Sequence, residues 1–240
     1  MYRSYLPWYV DQSQRVVACK SPKVSEKLGG KIVMLNWNVH KNNHSVRWLE
    51  DFSGILLHYR PDLILFQEYR TMNRKSVLDN HMEYGYGFFP NIIYKQHHYG
   101  LVNASRADMI AVNSYTTPDV EPFVRTPKVT LETIYETEAG GSVRVINVHM
   151  INFVRIRKFL AQITQIEQVL QRDDMPLILS GDFNTWNRRR MHILQKLAYE
   201  HDLKDVHFSS QKHRKPPFPY PLDHVFYKGL DVEKAEVLDE

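Results

Sequence analysis

Between residues 84 and 147 the chain passes through one extended-type segment after another, and this restricts its fold more than any other feature. Residues 84–90, 91–94, 100–103, 109–112 and 130–136 are Tyr- or Val-rich runs separated by turn residues. Gly140-Gly141, lying between 130–137 and 142–148, reads as a hairpin. On either side of this region strands and helices alternate instead. The runs at 31–37 and 63–66 fit buried strands, and Val46, Leu49, Phe52, Leu56 and Tyr59 recur between them at helical spacing. Ser45 can cap that helix and Pro61 stops it. Further on, Ile156, Phe159 and Leu160, Ile163, Ile166 and Leu170 form one stripe of a helix over 153–172. A buried strand at 177–179, a helix at 187–200, a basic Pro-rich loop at 212–221 and strands at 222–227 and 232–238 complete the chain. Consecutive strands need antiparallel pairing, and strands separated by helices need parallel pairing. A purely doubly wound parallel sheet is excluded, whereas a two-sheet sandwich flanked by helices accommodates both. Residues 1–30 lack periodicity and end in Gly29-Gly30, so they read as an arm with little structure of its own, and 31–240 as one domain.

Composition narrows the function classes. With 43% hydrophobic and 24% charged residues, a sizeable core is available. Cys19 is the only cysteine, which excludes a disulfide framework and a Cys-ligated zinc site within one chain and suits a reducing cytoplasm. No run approaches the roughly 18 apolar residues of a membrane span. Asp11 interrupts the short apolar patch after Arg3, so a secretory signal is not expected. A cytoplasmic monomer without stable membrane insertion is the expectation. The net charge of +4 tilts the choice of partner towards polyanions such as nucleic acid.

Four polar clusters stand at the ends of the predicted buried strands: Asn36-Trp37-Asn38, Gln67-Glu68, Asn147-Val148-His149 with Asn152, and Gly181-Asp182-Phe183-Asn184. If those strands are neighbours, their ends supply two carboxylates, a histidine and several amides to one pocket. Such oxygen-rich ligation suits Mg²⁺, which takes one or two carboxylates and keeps its waters, and does not suit zinc. Asn36 and Asn38 are read as facing opposite ways on the strand, so only one is expected to reach the pocket, and the pattern favours Asn38. Acting on an anionic ester, such a site would supply positive charge through a cation on Glu68, donors from Asn184, Asn152 and His149, and a proton acceptor in Asp182. The charge runs at 188–190 and 212–215 are usually solvated faces, but Arg188 follows the Gly-Asp-Phe-Asn turn closely and is placed to line a groove.

The runs G-D-F-N-T-W-N-R-R-R-M (181–191), V-I-N-V-H-M-I-N-F (145–153) and P-L-D-H-V-F-Y-K-G-L (221–230), together with Q-E at 67–68, carry a resemblance. From about residue 31 onward the chain resembles the endonuclease/exonuclease/phosphatase superfamily, and within it the bacterial YafD-like group. The resemblance implies an α/β (α+β) fold, the DNase I-like four-layer sandwich of two mixed β-sheets flanked by helices. It implies a Mg²⁺-dependent phosphodiesterase, with Mn²⁺ as a possible substitute, acting most naturally as a nuclease on DNA or RNA. A phospholipid or small-molecule phosphoesterase, or a catalytically silent binding protein, are the alternatives. Residue by residue, Glu68 resembles the principal metal ligand and Asn38 the amide that supports it. His149 and Asn152 match positions that contact the phosphate, and Arg188 is expected to bind substrate. Asp182 resembles the carboxylate that orients or deprotonates water, and Asn184 its partner on the phosphate oxygens. Asp223 matches the carboxylate that holds the family's last catalytic histidine. That histidine belongs to a Ser-Asp-His motif about a dozen residues further on, and the sequence reaches Leu238-Asp239-Glu240 before it. The domain is therefore expected to lack the final strand, with His224 a neighbour of the holding carboxylate and not the missing histidine.

Overall fold

The computed structural model describes residues 18–121, 126–208 and 220–238. Its elements in chain order are β1 (Ala18–Lys20), β2 (Met34–Asn38), α1 (Val46–Tyr59), β3 (Leu63–Met72), β4 (Gly85–Tyr94), β5 (His97–Ser105), β6 (Met109–Val120), β7 (Pro127–Glu136), β8 (Ser142–His149), α2 (Ile156–Leu170), β9 (Leu177–Asp182), α3 (Arg188–Glu200), β10 (Lys204–Asp205) and β11 (Asp223–Lys228). They build a five-stranded sheet in the order β1-β4-β5-β3-β2 and a six-stranded sheet in the order β10-β11-β9-β8-β7-β6. Among the strand pairs of the described residues, β2/β3 and β8/β9 are the parallel ones, and each is joined across a helix, α1 or α2.

Period-two alternation divides the apolar residues among three layers. Ile64 and Phe66 of β3 pack with Trp48 and Phe52 of α1. Leu63 and Leu65 of β3 meet Val143, Val145 and Ile178 between the sheets. Ile146, Val148 and Leu179 face Phe159, Ile163 and Leu194 of α2 and α3. The result is the expected four-layer sandwich, with helices outside and two mixed sheets inside. Among the described residues no helix is long and apolar enough to cross a membrane.

Several boundaries differ from expectation for identifiable reasons. Segment 63–66 is only the start of β3, because β5 continues to pair with it past the point where β2 ends. Gln67-Glu68 therefore sits on a bulge between Phe66 and Tyr69, in mid-strand and not at a strand end. Segments 84–90 and 91–94 are one strand, kinked by a register shift between Pro90 and Ile92, since proline cannot donate to the ladder. The segment expected as a strand at 232–238 is not one: β10 already occupies the free edge of β11, and among the described residues no strand pairs with it. The arm is also more structured than expected over 18–30. Its β1 adds an edge to β4, Leu28 is buried between the sheets, and a bridge joins Leu28 to Thr137. Residues 1–17 and most of the basic loop at 212–221 lie outside the described residues.

Candidate active site

Strand register alone puts three predicted residues in a row. His149 of β8 pairs with Asp182 of β9, and Asp182 pairs with Asp223 of β11. The row closes the edge of the second sheet on the face turned to the first. Asn38 arrives from the first sheet at the end of β2, and its Nδ2 donates to Asp182 Oδ2 at 3.0 Å. The turn after β9 supplies the other restraint. Gly181 has φ +138°, and a Cβ there would stand 2.0 Å from the Val148 carbonyl oxygen, so only glycine lets β9 lie this close to β8. Asn184 at φ +51° turns its own N–H back to Asp182 Oδ1 at 2.9 Å.

Glu68 reaches the same place because of the bulge. Its backbone has φ +53°, and its Oε1 is 3.9 Å from His149 Nε2, which is also 3.9 Å from Asp182 Oδ2. Residues 68, 149 and 182, distant in the chain, thus stand together. Lys41 in the loop after β2 places its Nζ 3.1 Å from Glu68 Oε2.

The two carboxylates live in opposed environments. Burial works against the charge of Glu68, but His149, Lys41 and Lys128 outweigh it and hold the carboxyl down at about 2. For Asp182 burial prevails, so its pKa is raised despite the bonds from Asn184 and Asn38. His149 is pushed down to about 3, first by burial and then by Lys128, with Glu68 opposing. At neutral pH the imidazole is uncharged, Glu68 is ionised, and Asp182 is the carboxyl closer to exchanging a proton. Pairs of titratable groups driven apart in this way mark acid–base sites.

The amides form a connected set. Asn152 Nδ2 donates to Asn184 Oδ1 at 2.6 Å, Trp186 Nε1 donates to Asn152 Oδ1 at 2.9 Å, and Asn184 Nδ2 donates to the Met150 carbonyl at 2.9 Å. Arg188 stands exposed in the first turn of α3, and the arginine turned inward is Arg190. Its Nη1 donates to the carbonyls of Ile151 and Asn184, and its guanidinium lies over Phe159 and Trp186. Asp223 is half-buried in the row, whereas His224 points to the opposite face, with Nε2 2.8 Å from Thr185 Oγ1.

Asn36 requires a correction. Two residues apart on one strand, it shares the face of Asn38. It lies one step deeper, where its Oδ1 accepts from Gln67 Nε2 at 2.9 Å. Gln67 also donates to Asn147 Oδ1, and Asn147 Nδ2 donates to the carbonyls of Phe66 and Val102. This polar seam joins the sheets directly beneath the site and satisfies a carbonyl beside the bulge.

Sequence reasoning passed over Lys41, Lys128 and Glu121. Lys128 had a signal: it is the only charged residue in 126–131 of a strand otherwise suited to burial. Among the described residues no three His, Cys, Asp or Glu side chains could hold a metal ion by themselves. The donors that do converge are mainly oxygens: the ionised Glu68, the Asn38 amide and Asp182. Such a set suits a hard cation that keeps most of its water, not one needing a full protein cage.

A model of the Endonuclease/Exonuclease/phosphatase family matches residues 35–239. A UPF0294 protein of Vibrio campbellii is 29% identical over 95% of this chain and 79% of its own length. Another, from Klebsiella pneumoniae, is 32% identical over 87% of this chain and 77% of its own. Among solved structures, an endonuclease/exonuclease/phosphatase family protein from Leptotrichia buccalis aligns with a TM-score of 0.65 at 17% identity, covering 87% of this chain and 92% of that one. With the family model spanning nearly the whole chain and the sandwich matching in structure, the chain belongs to the endonuclease/exonuclease/phosphatase family of phosphate-ester hydrolases.

Proposed function

We propose that this protein is a Mg²⁺-dependent phosphodiesterase whose substrate is nucleic acid. One observation carries the reading: Glu68 of the first sheet and the His149–Asp182 pair of the second meet within 3.9 Å at one edge of the sandwich. Glu68 and the Asn38 amide would hold Mg²⁺, or Mn²⁺ in its place. When bound, the ion supplies the positive charge that lets a nucleophile approach an anionic phosphate. The remaining work falls to the chain. Asp182, anchored at both oxygens by Asn38 and Asn184, takes the proton of the attacking water, and its raised pKa makes it a better base than a solvated carboxylate. The Asn152–Asn184 pair sets its amides at fixed angles for phosphate oxygens, with Trp186 and Arg190 locking the loop behind them.

Charge and shape favour nucleic acid. The chain carries +4, and Lys41, Arg188 and Arg189 are exposed near the site elements. Phe153 is 64% exposed directly after Asn152, with φ +51° and its N–H donated to Asn152 Oδ1. One such ring suits stacking on a base, whereas a lipid interface calls for a wider apolar face. The exposed free Cys19 suits a reducing cytoplasm.

The test is a substrate panel of plasmid DNA, oligonucleotides, RNA and bis-p-nitrophenyl phosphate, run with Mg²⁺, Mn²⁺ or EDTA. Cleavage of a nucleic acid that needs the metal and is lost in both Glu68→Ala and Asp182→Ala is the expected result. Turnover that survives both substitutions refutes the assignment.

A further inference from the structure

Lys128 lies near the start of β7 and is 8% exposed. Lysine is almost never buried so deeply unless its charge is paired. Its Nζ is 3.4 Å from Glu121 Oε1 and 3.1 Å from His149 Nε2. An ammonium has three N–H donors and no acceptor. In the second contact His149 Nε2 is therefore the acceptor, and the proton of the neutral ring sits on Nδ1. This reverses the part expected of His149, because a ring whose Nε2 lone pair is occupied by lysine has no Nε2 proton to offer a phosphate oxygen.

The ammonium, by contrast, retains capacity. Two of its donors are accounted for by Glu121 and His149, and among the described residues the third has no partner. His149 Nε2, 3.1 Å from it, is also 3.9 Å from both Glu68 Oε1 and Asp182 Oδ2, so the ammonium stands beside the space those carboxylates share. Glu121 does more than balance the charge. The same Oε1 accepts the N–H of Asn152 at 2.8 Å, which ties the lysine to the Asn152–Asn184 pair. Cation and amides are thus mounted on one frame.

We infer that Lys128 is the phosphate-binding cation of this site, and that His149 and Glu121 are the positioning residues that aim it. The ligand class is a tetrahedral phosphate oxyanion, whether an ester or the free ion. The inference rests on the phosphodiesterase reading and deepens it. His149 then acts through the lysine and makes no hydrogen bond of its own to the phosphate.

The decisive experiment is nitrogen-detected NMR on the ¹⁵N-labelled chain, with the His149 ring and the Lys128 Nζ assigned from His149→Asn and Lys128→Arg. The wild type should show His149 protonated on Nδ1, and inorganic phosphate should shift the Lys128 Nζ resonance. Phosphate should bind Lys128→Met at least about tenfold more weakly than wild type, since the substitution keeps an unbranched stem and removes a charged donor worth about 1.5–3 kcal/mol. His149 protonated on Nε2, an unmoved Lys128 signal, or unchanged phosphate affinity in Lys128→Met would each overturn the inference. If Lys128→Met does not fold, as judged by its circular dichroism, the wild-type tautomer and the Nζ shift decide alone. A chain that binds phosphate through Lys128 yet cleaves no ester in the substrate panel refutes the phosphodiesterase reading and leaves this inference standing.

Discussion

Gly181→Ala should damage both stability and the site, and the structure says by how much. The added Cβ would lie 2.0 Å from the Val148 carbonyl oxygen and 2.9 Å from its nitrogen, and these are rigid backbone atoms of the neighbouring strand. In addition, φ +138° is a conformation open essentially to glycine, costing a residue with a side chain about 1–3 kcal/mol. Relief of the overlap adds about 1–3 kcal/mol, as for other over-packed interiors. The sum is roughly 2–6 kcal/mol, and at about 2–4 °C per kcal/mol for a domain of this size it lowers Tm by about 4–24 °C. Asp182 is the next residue, so prying β9 from β8 displaces the carboxylate that Asn38 and Asn184 hold. A shift near 1 Å costs about 10²-fold in rate. Gly54→Ala provides the control. It lies in the exposed interior of α1 with nothing within 4 Å of the new Cβ, so it should stabilise by about 0.5–1 kcal/mol. Urea denaturation and thermal melts of the two variants should move in opposite directions. A Gly181→Ala protein that melts with the wild type refutes the close-approach argument.

Three further outcomes follow from the same geometry. His149, held down at about 3, should show no titration of its ring signals between pH 8 and 5. Its unfolded form protonates near 6.5, so its contribution is complete above that pH and is lost as pH falls towards 3; Glu68 repeats the pattern between 4.5 and about 2, and stability to urea should drop on acidification. Arg144 and Glu132, 2% and 1% exposed, form an ion pair at 3.0 Å behind α2, so Arg144→Met alone should cost about 3–5 kcal/mol, whereas Arg144→Met with Glu132→Leu should recover much of that loss. Millimolar Mg²⁺ should raise the Tm of the wild type by binding the folded state only, and the rise should vanish in Glu68→Gln; an equal rise in both would remove Glu68 from the metal.

The sequence made the ends of the buried strands legible, and with them Asn38, His149, Asp182 and Asn184, because apolar runs that stop on polar residues show where a sandwich has its edges. Glu68 was legible as a residue but not as a geometry. Its bulge arises where β5 outlasts β2 as a partner of β3, and that mismatch in length is a property of two distant segments. Lys41 went unnoticed for a similar reason, and Lys128, although the one charge in 126–131, showed no role there. A single lysine acquires meaning only when tertiary packing sets a carboxylate or an imidazole against it. Arg188 shows the converse, for adjacency to the Gly-Asp-Phe-Asn turn suggested the groove while helical phase turned Arg190 inward and left Arg188 in solvent. Segment 232–238 alternates as a strand should, yet pairing also needs an open edge, and β10 holds the one on β11.

The two parallel pairs explain why the site is at this edge. In each sheet a strand, a helix and a parallel strand succeed one another: β2-α1-β3 in the first, β8-α2-β9 in the second. Ligands of α/β sheets bind beyond the carboxyl ends of such strands, where side chains emerge from the buried ladder into loops. Asn38, His149 and Asp182 are the last residues of their strands, and Glu68 follows the point where β2 leaves β3. Packing the sheets face to face brings the two carboxyl-terminal edges together, so each contributes half of the proposed site. The Gln67–Asn36–Asn147 seam beneath fixes the relative position of the sheets. Gln67→Leu would leave the amides of Asn36 and Asn147 without that partner, so it should loosen the distance between Glu68 and Asp182 and lower activity while both residues remain in place.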